Sequence, residues 1–286
     1  MRLKVWIKIC FYRFWPLRQI FILWYKMTGQ KPWGRGYSVF KSTEIQKNIT
    51  NGTSTIYFTK NKFPLGYGYG LDERVVEYPW FFAQLKDSEK MILDAGSSLN
   101  HYAILNLPQI KKRVVHLITL ANEGRFRGKH LHYLYGDLRQ LPYKDGFFDG
   151  VVSISTIEHV GLDNTFLYTQ DKRKRETDTE GYAEAIRELK RVLKPGGTLY
   201  LTVPYGRYQN HGWFQVFDGD MIDKIILVFS PAAYQETYFR YVNRQWNFSD
   251  RSACNASIYF DIHKTKALRK DHLAASESVA CLLMTK

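Results

Sequence analysis

Met91-Ile-Leu-Asp-Ala-Gly-Ser-Ser-Leu-Asn100 decides the reading of this chain. Its apolar run stops at Asp94 and turns on Gly96, as a buried strand does when it ends in a tight turn. In a parallel α/β sheet this carboxyl edge receives nucleotide-like ligands. Short Asp-x-Gly turns are common, so the weight of the reading rests on the sequence around it.

Outward from this stretch, apolar runs and amphipathic segments alternate. The pattern predicts strands over 91–94, 114–120, 130–135, 150–155, 198–203, 237–242 and 279–284, with helices over 180–193 and 218–228. Such alternation predicts a doubly wound, mostly parallel α/β sheet of seven strands, Rossmann-like, with an N-terminal helical and irregular extension. The long segment before the last strand is accommodated by an antiparallel pair at the sheet edge. Residues 71–85 read as a lead-in helix despite Pro79. Residues 28–70, rich in Gly, Asn, Thr and Tyr, read as loops with one short strand over 55–59. The division is then a leader over 1–27, an extension over 28–88 and a ligand-binding domain over 89–286.

The 286 residues are 45% hydrophobic and 24% charged, enough for a full core and unlike a disordered chain. The formal net charge of +14 favours an anionic partner: a membrane surface, a nucleic acid or an acidic substrate. Cys10, Cys254 and Cys281 lack metal-ligand spacing and read as free thiols in a reducing compartment, and no metal site is expected. Without a recognisable cleavable signal peptide, the expected location is cytoplasmic. In the leader, Lys4, Lys8, Arg18, Gln19 and Lys26 share one helical face among many aromatic residues, with Pro16 as a breaker. Charges interrupt it too often for a membrane span. A basic aromatic helix suits an anionic membrane surface, which would make the protein peripheral to the membrane; the alternative is a helix packed on the domain with solvated lysines.

Three further stretches give the opening turn its context: Tyr135-Gly-Asp-Leu-Arg-Gln-Leu-Pro-Tyr-Lys-Asp-Gly-Phe-Phe-Asp149, Gly150-Val-Val-Ser-Ile-Ser-Thr-Ile-Glu-His-Val160 and Ala185-Ile-Arg-Glu-Leu-Lys-Arg-Val-Leu-Lys-Pro-Gly-Gly-Thr-Leu-Tyr-Leu-Thr-Val-Pro204. In this order and spacing the chain resembles the class I S-adenosylmethionine-dependent methyltransferases, most of all the ubiquinone-biosynthesis type and relatives from polysaccharide gene clusters. The resemblance is close over 91–204 and loose elsewhere.

The resemblance implies S-adenosyl-L-methionine as cofactor. Asp94, Gly96, Ser97 and Asn100 would line its methionine end, Asp137 and the Leu138 amide would meet the adenine, and Thr156, after the fourth strand, would also contact the cofactor. The family's glycine-rich loop is replaced here by Gly96-Ser-Ser-Leu-Asn100, whose side chains offer hydrogen bonds in place of close backbone approach. The acid that usually ends the second strand is missing; Thr119, Asn122 and Glu123 are the substitutes within reach. A dinucleotide-binding Gly-x-Gly-x-x-Gly is absent, which argues against NAD.

Transfer to a hydroxyl requires alignment and removal of its proton. Glu158 and His159 follow the fourth strand and have that chemistry, as does His211 in the loop after the fifth. In that loop Arg207 would recognise an anionic acceptor, and Tyr208 and Trp213 would wall a sugar or aromatic ring. Arg74, Glu77 and Tyr78 are placed to lid the cofactor. The basic run 171–175 reads as a solvated loop or a phosphate contact. The expected activity is methyl transfer to a small-molecule or glycan hydroxyl. The alternatives are a non-catalytic binding module at a membrane surface and, behind it, a nucleic-acid methyltransferase, for which no recognition module is visible.

Overall fold

The computed structural model describes residues 15–120, 124–169 and 171–286. Among the described residues ten strands form: β1 (Met91–Ala95), β2 (Val114–Thr119), β3 (Leu131–Tyr135), β4 (Phe148–Ile154), β5 (Leu193–Pro204), β6 (Gln209–Asn210), β7 (Gln215–Val216), β8 (Ala233–Val242), β9 (Gln245–Ser249) and β10 (Ser278–Thr285). Eight of them build one sheet in the order β3-β2-β1-β4-β5-β10-β8-β9, and β6 and β7 pair as a small separate hairpin. β1 pairs in parallel with β2 on one side and β4 on the other, so the chain reverses its direction of travel between them. β10 is antiparallel to both β5 and β8.

The sheet has one strand more than the seven expected, because β9 extends the edge. A two-residue turn returns the chain from β8, with both Asn243 (φ 55°) and Arg244 (φ 62°) left-handed. Such a turn matches the twist of a hairpin.

Alternate strand residues face opposite sides, as the two-residue strand period requires. Ile92, Val115, Val152 and Ile154 enter one apolar core, and Leu93, Ile118, Val151 and Leu201 enter the other. The second core is covered by α5 (Gly181–Val192) and α6 (Gly219–Phe229). Helix α5 buries Ala185, Ile186, Leu189 and Val192 on one stripe, then reverses through Lys194-Pro-Gly-Gly197, where Gly196 has φ 76°.

The first core is covered by α1 (Trp15–Met27), α2 (Tyr37–Thr50), α3 (Thr53–Lys60) and α4 (Arg74–Gln84). Two single turns, Tyr102–Leu105 and Pro108–Lys111, are the only helix in the described part of the β1–β2 crossover, too little to cover this face. The N-terminal helices take that place.

Residues 28–70 therefore differ from the expected loops. Tyr37, Phe40, Ile45 and Ile49 of α2 are buried, and the stretch read as a strand over 55–59 lies in α3. There Phe58 packs edge-on against Phe239 and Phe248, and Tyr57 against Phe63 and Tyr67. Tertiary aromatic contacts outweigh the strand preference of Thr, Ile and Tyr. Pro79 is tolerated inside α4: the Val75 carbonyl, which would have accepted its missing N–H, accepts the Tyr67 hydroxyl at 2.9 Å.

In the leader, residues 1–14 lie outside the described residues, Lys4 and Lys8 among them. Of the described members of the expected basic face, Gln19 and Lys26 are exposed. Arg18 turns inward and donates to Thr43 Oγ1 at 3.0 Å and Gln46 Oε1 at 3.1 Å. Tyr25 is fully buried, against Tyr37 and Phe40. Among the described residues, no helix is long and apolar enough to cross a membrane.

Candidate active site at the carboxyl edge of the sheet

The reversal between β1 and β4 leaves a crevice at their carboxyl ends, the place where open α/β sheets bind ligands. Gly96 and Thr156 meet there. Gly96 has φ 111°, and a Cβ on it would fall 2.2 Å from Thr156 Cγ2. Ser97 follows at φ 61°, holding a backbone shape that glycine adopts more readily.

Asp94 is fully buried and organises this turn from within. Its Oδ1 accepts the Ser98 amide at 3.0 Å and the Ser98 hydroxyl at 2.9 Å; its Oδ2 accepts the Leu99 amide at 2.8 Å. Tyr78 of α4 clamps the turn from outside, donating to the Ser98 carbonyl at 2.5 Å. Asn100 donates to the Gly124 carbonyl and accepts the Tyr133 hydroxyl, which ties the turn to the segment after β2. Asn122 and Glu123 lie outside the described residues, while Thr119 ends β2 and accepts the Gly136 amide.

After β3, Leu138 is buried, but both Asp137 oxygens are engaged. Arg139 reaches them through Nε and Nη2 and reaches Glu176 at 2.7 Å. Burial works to raise the Asp137 pKa, yet the Arg139 hydrogen bonds and charge hold it below the ordinary carboxylate value.

The turn fits the methionine end of S-adenosylmethionine in its backbone: a glycine too crowded for a Cβ, a left-handed residue after it and a buried acid beneath. Where the resemblance would put the adenine, an apolar Leu138 is present, and the acid is shared with an arginine.

Beside this crevice lies a cavity of about 210 Å³. Ser155, Glu158, His159 and Pro204 form its floor from the ends of β4 and β5. Trp213, Phe214, Tyr259 and Trp33 contribute rings, and Lys41, Asp72, Glu73 and Arg74 contribute charge. Beneath it Glu77 is fully buried and accepts Ser155 Oγ at 2.5 Å, Thr202 Oγ1 at 2.6 Å and Arg74 Nη1 at 2.9 Å.

Glu158 is buried, and its Oε2 has no hydrogen-bond partner among the described residues. Burial pushes its carboxyl well above the usual range, so the protonated form is favoured. His159 lies with Nε2 3.9 Å from Glu158 Oε1 and Nδ1 2.9 Å from the Trp213 carbonyl. A carbonyl only accepts, so Nδ1 carries the hydrogen and Nε2 presents a lone pair. Burial lowers the His159 pKa to about 4, so the ring is neutral at pH 7. Glu73 is pushed up to about 7 by burial and then by Asp72 and Glu77. Burial acts to raise Asp72 also, but Lys41 at 2.5 Å and the Tyr37 hydroxyl at 2.8 Å bring it below its ordinary value.

The structure thus brings Glu158 and His159 to the cavity and leaves His211 out of its wall. His211 stacks on Phe214, itself part of the wall, with centroids 4.4 Å apart. Trp213 lines the cavity, whereas Arg207 and Tyr208 are exposed and do not. In the basic run, Arg173 pairs with Asp171 and Arg175 with Asp163, and all four cations of 172–175 are exposed. Sequence reasoning missed Trp33, Lys41, Glu73 and Tyr259, which come from three segments far from the motif-bearing strands.

A doubly wound parallel sheet with an antiparallel strand beside its last parallel one, and both sites at the carboxyl edge, is the Rossmann-like methyltransferase fold. Residues 115–201 match the family model described as a methyltransferase domain. Over those residues the chain carries a methyltransferase domain. It is 33% identical over 126 residues to tRNA (carboxymethyluridine(34)-5-O)-methyltransferase of Arabidopsis thaliana, covering 43% of this chain and 26% of that protein. The chain thus spans about a quarter of the length of that curated relative. Among solved structures it is similar to the YcgJ protein of Bacillus subtilis (14% identity, 69% of this chain and 92% of that one, TM-score 0.41). It is also similar to the Burkholderia thailandensis 1,6-didemethyltoxoflavin-N1-methyltransferase with bound S-adenosylhomocysteine (12% identity, 84% and 79%, TM-score 0.42).

Proposed function

We propose that this cytoplasmic domain transfers a methyl group from S-adenosylmethionine to a hydroxyl of a small-molecule or glycan acceptor. The observation that carries this reading is the His159 imidazole, oriented by the Trp213 carbonyl so that Nε2 offers a lone pair beside buried Glu158. Held by Gly96, Ser97, Thr156, Asp137 and Leu138, the cofactor would supply an electrophilic methyl. The acceptor hydroxyl sits in the cavity, where Trp213, Tyr259 and Trp33 give ring faces and Glu73, Asp72 and Arg74 give hydrogen bonds to a polyol. As the oxygen forms its new bond to carbon it becomes strongly acidic, so even a neutral imidazole with a pKa of about 4 suffices to take the proton. Glu158 then faces the imidazolium. Isothermal titration with S-adenosylhomocysteine, followed by transfer of labelled methyl to a panel of glycans and small alcohols, tests the reading. Absence of binding at millimolar ligand overturns it.

An RNA acceptor is the second reading. The Arabidopsis thaliana relative, named as a tRNA methyltransferase, and the net charge of +14 favour it. Label appearing on tRNA and on none of the glycan panel would replace the first reading with this one.

A further inference from the structure

Helix α1 packs with one face and leaves an apolar one outside. Leu17, Ile20, Leu23, Trp24 and Met27 recur at helical spacing and are 38% to 76% exposed. At 100° per residue they occupy an arc of about 120°. Ile22 and Tyr25, on the opposite arc, are buried. A helix serving only to cover a core would carry polar residues on that outer arc.

Charge surrounds this stripe. Residues 1–43 contain nine of the 41 Lys and Arg and none of the 27 Asp and Glu, so this segment alone carries nine of the fourteen net positive charges. The Arg35 guanidinium lies 5.5 Å from the Phe21 ring and 6.0 Å from the Trp24 ring, along one edge of the stripe. Lys26 lies along the other edge, 5.5 Å from the Phe40 ring.

An apolar stripe edged by cations fits an anionic bilayer, whose acyl chains take the stripe and whose phosphates take the cations. It does not fit nucleic acid, because Leu17, Ile20, Leu23 and Met27 would be desolvated against phosphates with nothing to gain. Its 13 described residues are too few to span a bilayer, which needs about 20. We propose that α1 lies in the interface of an anionic membrane, with Leu17, Ile20, Leu23, Trp24 and Met27 inserted and Lys26 and Arg35 at the headgroups.

The test uses the full chain and two vesicle types: phosphatidylcholine alone, and phosphatidylcholine mixed with phosphatidylglycerol. The expected result is co-sedimentation with the mixed vesicles that weakens as salt rises. Ile20→Glu with Leu23→Glu should lower that affinity about tenfold or more, because two charges enter the apolar layer. Trp24→Ser, which adds no charge, should lower it less. Circular dichroism and the melting temperature of both variants should match the wild type, since the side chains changed are outside the core. Equal binding to both vesicle types overturns the proposal, as does wild-type affinity in the double variant. Loss of self-association or of tRNA binding in the double variant, with vesicle binding intact, overturns it in favour of that other occupant.

Discussion

Ser155 and Glu77 are joined by a 2.5 Å hydrogen bond that fastens the end of β4 to helix α4. Glu77 is fully buried, and Thr202 at the end of β5 and Arg74 on its own helix complete its set of donors. One carboxylate thus fastens the ends of β4 and β5, which floor the cavity, to helix α4.

Glu77→Ala should therefore be strongly destabilising. It strands two buried hydroxyls and a guanidinium, a loss of about 3–5 kcal/mol. Glu77→Gln keeps the shape and some of the hydrogen bonds and should cost less than half as much. Urea unfolding of both variants measures the difference. Equal stabilities for Glu77→Ala and wild type would show that the three donors find other partners.

The turn after β1 permits an opposed pair of substitutions. Ser97 holds φ 61°, so Ser97→Gly should relieve strain of about 0.5–1 kcal/mol. At Gly96 a Cβ would overlap Thr156, with three side-chain atoms within 2.7 Å, so Gly96→Ala should destabilise by about 1–3 kcal/mol and open the crevice. Thermal unfolding with and without S-adenosylhomocysteine reads both. A stabilising Gly96→Ala would mean that Thr156 moves aside freely.

These elements were legible in the sequence because their signals are local. The apolar run before Asp94, the stripe of α5 and the Lys194-Pro-Gly-Gly197 reversal each state their conformation within a few residues. The cavity roof was not, because its causes are distant. Helix α2 has Ser, Thr and Asn through its interior and gains its burial from helices α1, α3 and α4, which lie outside the motif-bearing stretches. The hairpin to β9 was hidden for a smaller reason: Asn243 is followed by Arg244 and not by the glycine that usually marks such a turn. Asp137 shows the limit of motif reading. Its place after β3 was legible, but Arg139 two residues on takes its carboxylate, and no spacing rule foretells that.

That pairing yields a prediction on cofactor affinity. If Asp137 accepts from the adenine, Arg139 competes with the ligand for the same oxygens. Asp137→Ala should weaken S-adenosylhomocysteine binding about tenfold, the scale of one charge-assisted hydrogen bond. Arg139→Ala should leave the affinity unchanged or raise it. Calorimetry separates the cases: if Arg139→Ala weakens binding as much as Asp137→Ala, the two residues act as one structural unit and Asp137 has no ligand role of its own.

His159 gives the sharpest test of the proposed chemistry. His159→Asn should lower kcat by about 10²–10⁴ while S-adenosylhomocysteine affinity stays within about twofold, because Nε2 is assigned to the acceptor proton and not to the cofactor. The pH dependence follows from the same ring. Its folded pKa of about 4 lies below the ordinary 6.5, so between pH 8 and pH 6 it stays neutral and wild-type kcat should be flat. The stability it contributes is present above pH 6.5 and is lost as pH falls through about 4, since the unfolded chain takes up the proton first. The asparagine variant should lack that part of the acid destabilisation, so its stability should fall less steeply than wild type between pH 6.5 and 4. Denaturant curves at each pH, beside kcat measured over the same range, check both halves. A variant that retains wild-type kcat would remove His159 from the chemistry and leave it as a wall of the cavity, its ring tilted against that of Trp213.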